Sequence, residues 1–252
     1  MTRSKLFRSL PARALALALG LAAARSAEAQ TQPAPDDAWH FVLAPYLMGA
    51  TLDGTALVKG QPLDIDASTS QIFDHMSYGA MGMAAARKGD WGVVADAVWV
   101  KLSVDNPMPP ATFEPTIGLV SLAGVRRLSS FADATLGVRW NHLGARIDLK
   151  APAPMRLERT RDWVDPVVGV VLRTPAGRRF HASLIADVGG FGVGSDITWQ
   201  VFPTAGVRLA DWASLEAGWR FLSADYKTGQ GADRFEYDML YQGPVVGVAF
   251  RF

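Results

Sequence analysis

Ile197-Thr198-Trp199-Gln200-Val201-Phe202-Pro203-Thr204-Ala205-Gly206-Val207-Arg208-Leu209 is the stretch that decides the fold. Ile197, Trp199, Val201, Pro203, Ala205, Val207 and Leu209 share one parity, and Thr198, Gln200, Phe202, Thr204, Gly206 and Arg208 the other. Side chains on a strand point alternately to opposite faces, so this period of two predicts a strand with one apolar and one largely polar face. After the tight Ala210-Asp211 turn, Leu215, Ala217, Trp219 and Phe221 alternate with Ser214, Glu216, Gly218 and Arg220, which predicts the antiparallel neighbour. Working outward, Phe180, Ala182, Leu184, Ala186 and Val188 oppose His181, Ser183, Asp187 and Gly189. Ala132, Ala134, Leu136, Val138 and Trp140 oppose Asp133, Thr135, Gly137, Arg139 and Asn141 in the same way.

A soluble sandwich also alternates, and three features separate the two. The strands commonly reach ten or more residues, the length that crosses hydrocarbon at a tilt, whereas soluble strands average five or six. Trp91, Phe131, Trp163, Trp212, Tyr226 and Tyr237 stand at strand ends, where aromatic girdles sit at the headgroup level of a membrane barrel. Short turns (Lys88-Gly89-Asp90, Ser129-Ser130, Thr174 to Gly177, Ala210-Asp211) alternate with longer ones (Asp105 to Ala111, Ala151 to Arg161, Gly190 to Asp196, Thr228 to Asp233). Such asymmetry fits short periplasmic turns and longer outer loops. The fold class expected is therefore all-β, a single transmembrane antiparallel up-and-down β-barrel.

Eleven segments read as strands: 39–51, 55–66, 77–87, 91–104, 112–128, 131–149, 162–173, 178–190, 197–209, 212–227 and 236–252. Single-chain bacterial barrels have an even number, so one segment is miscounted. The two suspects are 55–66, as a hairpin arm or loop, and 131–149, where the apolar parity slips near Leu143-Gly144 as a bulge or turn would cause. The reading leans to twelve strands, with ten as the alternative. Ser70 to Met76 has the spacing of a short helix in a loop or over the lumen.

Arg3, Lys5, Arg8 and Arg13 precede an apolar run from about Ala14 to Ala24 and then Ala27-Glu28-Ala29. This is the layout of a secretory signal, cleaved between Ala29 and Gln30. The division expected is a signal peptide over 1–29, a short periplasmic leader over 30–38 and an outer-membrane barrel over 39–252. The signal holds five of the 25 Lys and Arg and one of the 24 Asp and Glu, which leaves 20 bases against 23 acids and a net charge of −3. No basic surplus remains for a run of phosphates, so nucleic acid is not an expected partner. The absence of Cys removes disulfides, thiolate metal sites and a Cys nucleophile.

The last residues, Val246-Gly247-Val248-Ala249-Phe250-Arg251-Phe252, resemble the closing strand of Gram-negative outer-membrane β-barrels of the porin-like and OmpA-like kind. That resemblance implies the cell outer membrane, contact with its lipid, and an assembly signal at Phe250 and Phe252 read by the barrel-assembly machinery. Asp162-Trp163-Val164-Asp165-Pro166-Val167-Val168-Gly169-Val170, with Gly189 to Asp196, is similar to a widespread group of outer-membrane proteins that brings no catalytic motif with it.

Inward positions carry Asp133, Arg139, Asp165, Arg173, Asp187, Arg208, Glu216 and Arg220. Charges of both signs in a narrow lumen are tolerable when paired, giving a structural network that fills the barrel. The sharper reading is a path for small solutes, although mixed signs argue against strong ion selectivity. A membrane hydrolase acting on lipid or peptide is the rival class. His181, Ser183 and Asp187 share one inward face, yet residues i and i+2 lie about 6.6 Å apart, too far for a nucleophile–base hydrogen bond. His40, His75 and His142 lack metal-ligand spacing, and Gly190 to Gly194 joins two strands, so it is no nucleotide loop. The expectation is a non-enzymatic barrel without a cofactor, either a narrow channel or a structural barrel.

Overall fold

The computed structural model describes residues 37–252 apart from 59–60, 108–109, 151–153 and 176–178. The expected signal peptide, its Ala29/Gln30 cleavage point and most of the leader lie outside the described residues. Thirteen strands and a short helix follow in chain order: β1 (Trp39–Met48), β2 (Thr51–Val58), β3 (Gln61–Ala67), α1 (Thr69–Asp74), β4 (Met76–Lys88), β5 (Trp91–Leu102), β6 (Val104–Pro107) and β7 (Pro110–Arg127). Then come β8 (Ala132–Leu149), β9 (Met155–Arg173), β10 (Phe180–Gly189), β11 (Ile197–Ala210), β12 (Ala213–Thr228) and β13 (Phe235–Arg251). Every pairing is antiparallel.

Ten strands close a ring in the order β1-β4-β5-β7-β8-β9-β10-β11-β12-β13, with β13 returning to β1. The seam is in register from Val42 opposite Arg251 to Met48 opposite Val245, and Phe41 and Phe252 exchange backbone hydrogen bonds at 3.0 and 3.1 Å. Closure is what hydrocarbon demands, because an open edge there leaves backbone donors and acceptors without partners. Two of the remaining strands prolong staves of the ring. β2 continues β1 along Phe235–Gln242 of β13, and β6 continues β5 along the start of β7.

The twelve-strand reading is corrected to ten. Segment 55–66 is the β2–β3 hairpin, whose arms of eight and seven residues fall short of the roughly 9–11 that span a bilayer. It stands on β13 beyond the end of β1. The other suspect, 131–149, is one strand. Its ladders to β7 and β9 run without a register shift, from Ala111 opposite Leu149 to Arg127 opposite Asp133 and from Leu149 opposite Met155 to Ala132 opposite Leu172. The parity slip at Leu143 therefore has no bulge behind it. Below this point the outward face meets lipid and is apolar (Leu136, Val138), whereas above it the outward face carries Arg146 and Asp148 and the inward face Leu143 and Ile147. The strand stays regular while its surroundings change from hydrocarbon to water. For the same reason β9 begins at Met155 and not at 162. Of the expected loop 151–161, residues 155–161 belong to the ladder, with the charged Arg156 and Glu158 on their outward positions.

The Ser70–Met76 segment forms α1, capped by Ser68, whose hydroxyl accepts from the Gln71 amide while the Gln71 side chain accepts from the Ser68 amide. Both ends of the barrel chain and the turns after β4, β7, β9 and β11 lie at one end, and the longer connections at the other. The short-turn end is the periplasmic one. Trp39, Trp91, Phe131, Trp212 and Phe252, each more than half exposed, ring that end on the outward face. Trp163, Tyr226 and Tyr237, expected in the same girdles, point inward instead. Their parities are those of Asp165, Arg220 and Met239, and Trp163 stacks on Tyr226 at 4.3 Å.

If the outward face meets lipid, Val138→Arg in the middle of the membrane part of β8 destabilises the barrel by about 2–4 kcal/mol. Reversible urea unfolding in lipid vesicles checks this. A loss under 1 kcal/mol means that Val138 does not face hydrocarbon.

Candidate functional site

The lumen is filled from the periplasmic end upward by side chains that the strand parity sends inward. Near the start of β8, Asp133 is 1% exposed and accepts from Arg173 on β9 at 2.6 Å and from Arg87 on β4. Beside it, His181 on β10 and Glu216 on β12 meet at 2.7 Å across β11, and Gly206 of β11 is opposite both. A Cβ at Gly206 would stand 2.2 Å from Glu216 Oε2 and 2.5 Å from His181 Nε2. Glycine here leaves the gap through which the two side chains touch. Ser214 donates to Glu216 at 2.5 Å and Arg251 donates to Ser214 at 3.0 Å.

Half-way up, one hydrogen-bonded chain crosses the barrel. Arg220 on β12 reaches Asp96 on β5, four strands round the ring, at 2.5 Å, and donates to the Tyr46 hydroxyl at 2.7 Å. Tyr46 in turn donates to Asp96 at 2.7 Å. Arg220 Nε also donates to Gln200 on β11 at 2.8 Å, and the amide of Gln200 donates to Asp187 on β10 at 3.1 Å. Asp187 accepts twice from Arg139 on β8, at 2.8 and 3.0 Å. Arg139 ends on Ser121 of β7 and on Thr198, which is fully buried. Two carboxylates and two guanidiniums thus neutralise one another, and the paired geometry is what makes their burial tolerable.

Opposite Arg139 in the β8–β9 ladder, Asp165 is fully buried and accepts four donors: Asn141 Nδ2 at 2.9 Å, Trp163 Nε1 at 3.2 Å, the Ser195 amide at 2.5 Å and the Ser195 hydroxyl at 2.9 Å. No cation pairs with it among the described residues. Through Ser195 it ties the end of the 190–196 loop to the mouth of the barrel, while Phe191 and Val193 of the same loop stand exposed. Above this stands an apolar layer built on Leu119, Trp163, Leu222, Tyr237, Met239 and Tyr241, with Ala56 of the β2–β3 hairpin packed into it.

Of the eight inward charges read from the sequence, Asp133, Arg139, Asp165, Asp187, Glu216 and Arg220 are in these clusters, and Arg173 joins Asp133. Arg208 has the inward parity near the periplasmic end, and no ion pair of its side chain is found among the described residues. Sequence reasoning missed Asp96, Tyr46, Arg87 and Ser195. Asp96 shares its parity with Val94 and Val98, and a lone acid among valines was the available signal. His181, Ser183 and Asp187 are engaged separately, with Glu216, Thr204 and Arg139. Phe250 and Phe252 face outward, Phe250 stacked on Trp212 at 6.1 Å and Phe252 74% exposed.

At the outer end, the outward face from the end of β5 to β9 is a charged ladder. Arg146 bridges Glu114 and Glu158 at 3.3 and 3.2 Å, Lys101 pairs with Glu114 at 3.1 Å and Arg156 with Asp148 at 2.5 Å. The Thr112 hydroxyl and Lys150 hold the Asp105 carboxyl below the usual carboxylate range, and the carboxylates of Asp196 and Asp225 raise the Lys227 ammonium.

No family model and no curated protein matches the chain. Solved structures do. The outer membrane protease OmpT from Escherichia coli aligns over 88% of this chain and 99% of its own, with a TM-score of 0.51 and 8% identity. The chain has the fold of the Gram-negative outer-membrane β-barrels. The attachment invasion locus protein Ail of Yersinia pestis aligns over 85% of this chain and 98% of its own at a TM-score of 0.40 and 10% identity. The translocator domain of the autotransporter NalP from Neisseria meningitidis covers 96% and 94% at 0.43 and 12%.

Arg139→Met leaves Asp187 without its cation in a water-poor lumen, so it destabilises the barrel by about 3–5 kcal/mol, the usual consequence of breaking a buried pair. Arg208→Met changes stability by less than about 0.5 kcal/mol. Equal midpoints for the two variants in urea titration contradict the pairing described.

Proposed function

We propose that this chain is a sealed outer-membrane barrel, neither channel nor enzyme, that anchors the outer β6–β9 extension and the β2–β3 hairpin at the cell surface. The observation that carries this reading is the hydrogen-bonded chain from Asp96 through Arg220, Gln200 and Asp187 to Arg139, which spans the lumen and lies under the apolar Leu222/Met239/Tyr241 layer. A conducting path would have to break these pairs and wet an apolar layer, and both steps are costly. The separate engagement of His181, Ser183 and Asp187 supports the non-enzymatic reading.

What the anchored part offers is a two-faced sheet. Its outward side has its charges largely neutralised among themselves, while Val104, Phe113 and Leu157 stand in cross-strand register through Ile147 on the other side, each at least 36% exposed. The outward Phe250 and Phe252 suit an assembly signal presented from the closing strand.

Purified mature protein reconstituted in planar bilayers is expected to give no stepwise current, and vesicles containing it should not swell in isosmotic sugar. Reproducible conductance steps from the unmodified barrel would overturn the sealed reading and favour a narrow solute channel.

A further inference from the structure

The outward face of β1, β4, β5 and β7 carries an amphiphile-shaped feature unrelated to the lumen. At its periplasmic end Trp39, Lys88, Trp91 and Arg126 stand side by side in one cross-strand row, alternating ring and cation. The Arg126 guanidinium lies 4.4 Å over the Trp91 ring, and no carboxylate pairs with it among the described residues. Lys88 is 3.7 Å from Asp37, whose own side chain is 94% exposed.

The next rows into the membrane are Phe41, Ala86, Val93 and Gly124, then Leu43, Ala84, Ala95 and Leu122. Ala84, Ala86 and Ala95 on the two middle strands, between Phe41 and Leu43 of β1 and Leu122 of β7, leave a groove of about 290 Å³. Ala84, Ala86 and Ala95 are on its floor and Phe41, Leu43, Leu122 and Phe252 on its walls. The groove is apolar along its length and has its two cations at one end only. A second copy of the chain would bring Lys88 and Arg126 into an apolar contact, where desolvating them has no return. An anionic head on an alkyl chain matches both parts, and basic residues beside aromatic ones at the interface favour such headgroups.

We propose that this face binds one anionic glycerophospholipid of the periplasmic leaflet, with its phosphate between Lys88 and Arg126 and one acyl chain along the Ala84/Ala95 groove. The site is independent of whether the lumen conducts.

Native mass spectrometry of the mature protein titrated with phosphatidylglycerol tests it. The wild type should retain one lipid preferentially, and K88Q/R126Q should lower that occupancy at least tenfold. Ala95→Phe, which fills the groove on the lipid-exposed side and leaves the lumen untouched, should do the same. Arg179→Gln, another exposed cation at the periplasmic end, should retain wild-type occupancy, and heat-modifiable gel mobility confirms that each variant is folded. Undiminished lipid in the folded Ala95→Phe variant, an equal loss in Arg179→Gln, or dimers of the wild type that Ala95→Phe abolishes would each overturn the proposal.

Discussion

A strand inside hydrocarbon has to satisfy both of its edges with other strands, and that constraint organises the rest of this molecule. The pairing of β13 with β1 meets it and thereby sets the ring at ten strands. Ring size sets the width of the lumen. At this width a guanidinium leaving β12 spans far enough to meet a carboxylate on β5. A much wider barrel would have left Arg220 and Asp96 as separate charges facing water, whereas here they are buried and must pair. The neutral Asp96–Arg220 and Asp187–Arg139 pairs, joined by Gln200, follow from closure as directly as the backbone ladder does.

Alternation made much of the membrane part legible. Over 197–209 and 214–221, β11 and β12 have the faces expected, because a uniform lipid environment outside imposes one parity along the membrane part of each strand. The same rule misleads where the environment changes along a regular strand. At Leu143 the outside turns from lipid to water, the apolar parity inverts, and a straight strand looks broken. Trp163, Tyr226 and Tyr237 were misplaced through that effect: above the bilayer an inward aromatic belongs to a packed core and not to a girdle. The count of twelve failed for a related reason, since an alternating segment of the β2–β3 hairpin carries no mark of whether it enters the membrane.

The candidate site was legible in its charges and not in its connections. Parity alone places Arg139 and Asp187 inside, but which acid an arginine meets depends on barrel width and shear. Asp96 is 43 residues before Arg139 and 124 before Arg220 in sequence, and only closure brings it to the latter. Ser195 is in a stretch expected to be an outer loop, whereas its amide and hydroxyl, both donating to Asp165, tie the end of that loop to the mouth. Together the charged chain, the Asp165 cluster and the apolar layer make the interior resemble a soluble core with a membrane around it.

On the sealed reading proposed above, a lumen filled in this way excludes water-borne reagents, and the Cys-free sequence allows that to be measured directly. Thr198 is fully buried where Arg139 reaches β11, and Ser130 is exposed in a periplasmic turn. With Thr198→Cys and Ser130→Cys in separate folded proteins, a charged methanethiosulfonate added on both sides of the membrane should modify position 130 rapidly. It should leave position 198 unmodified until urea unfolds the barrel. Modification of Thr198→Cys at a rate comparable to Ser130→Cys in the folded state would contradict the account, because it would require a water-filled path through the crossing network.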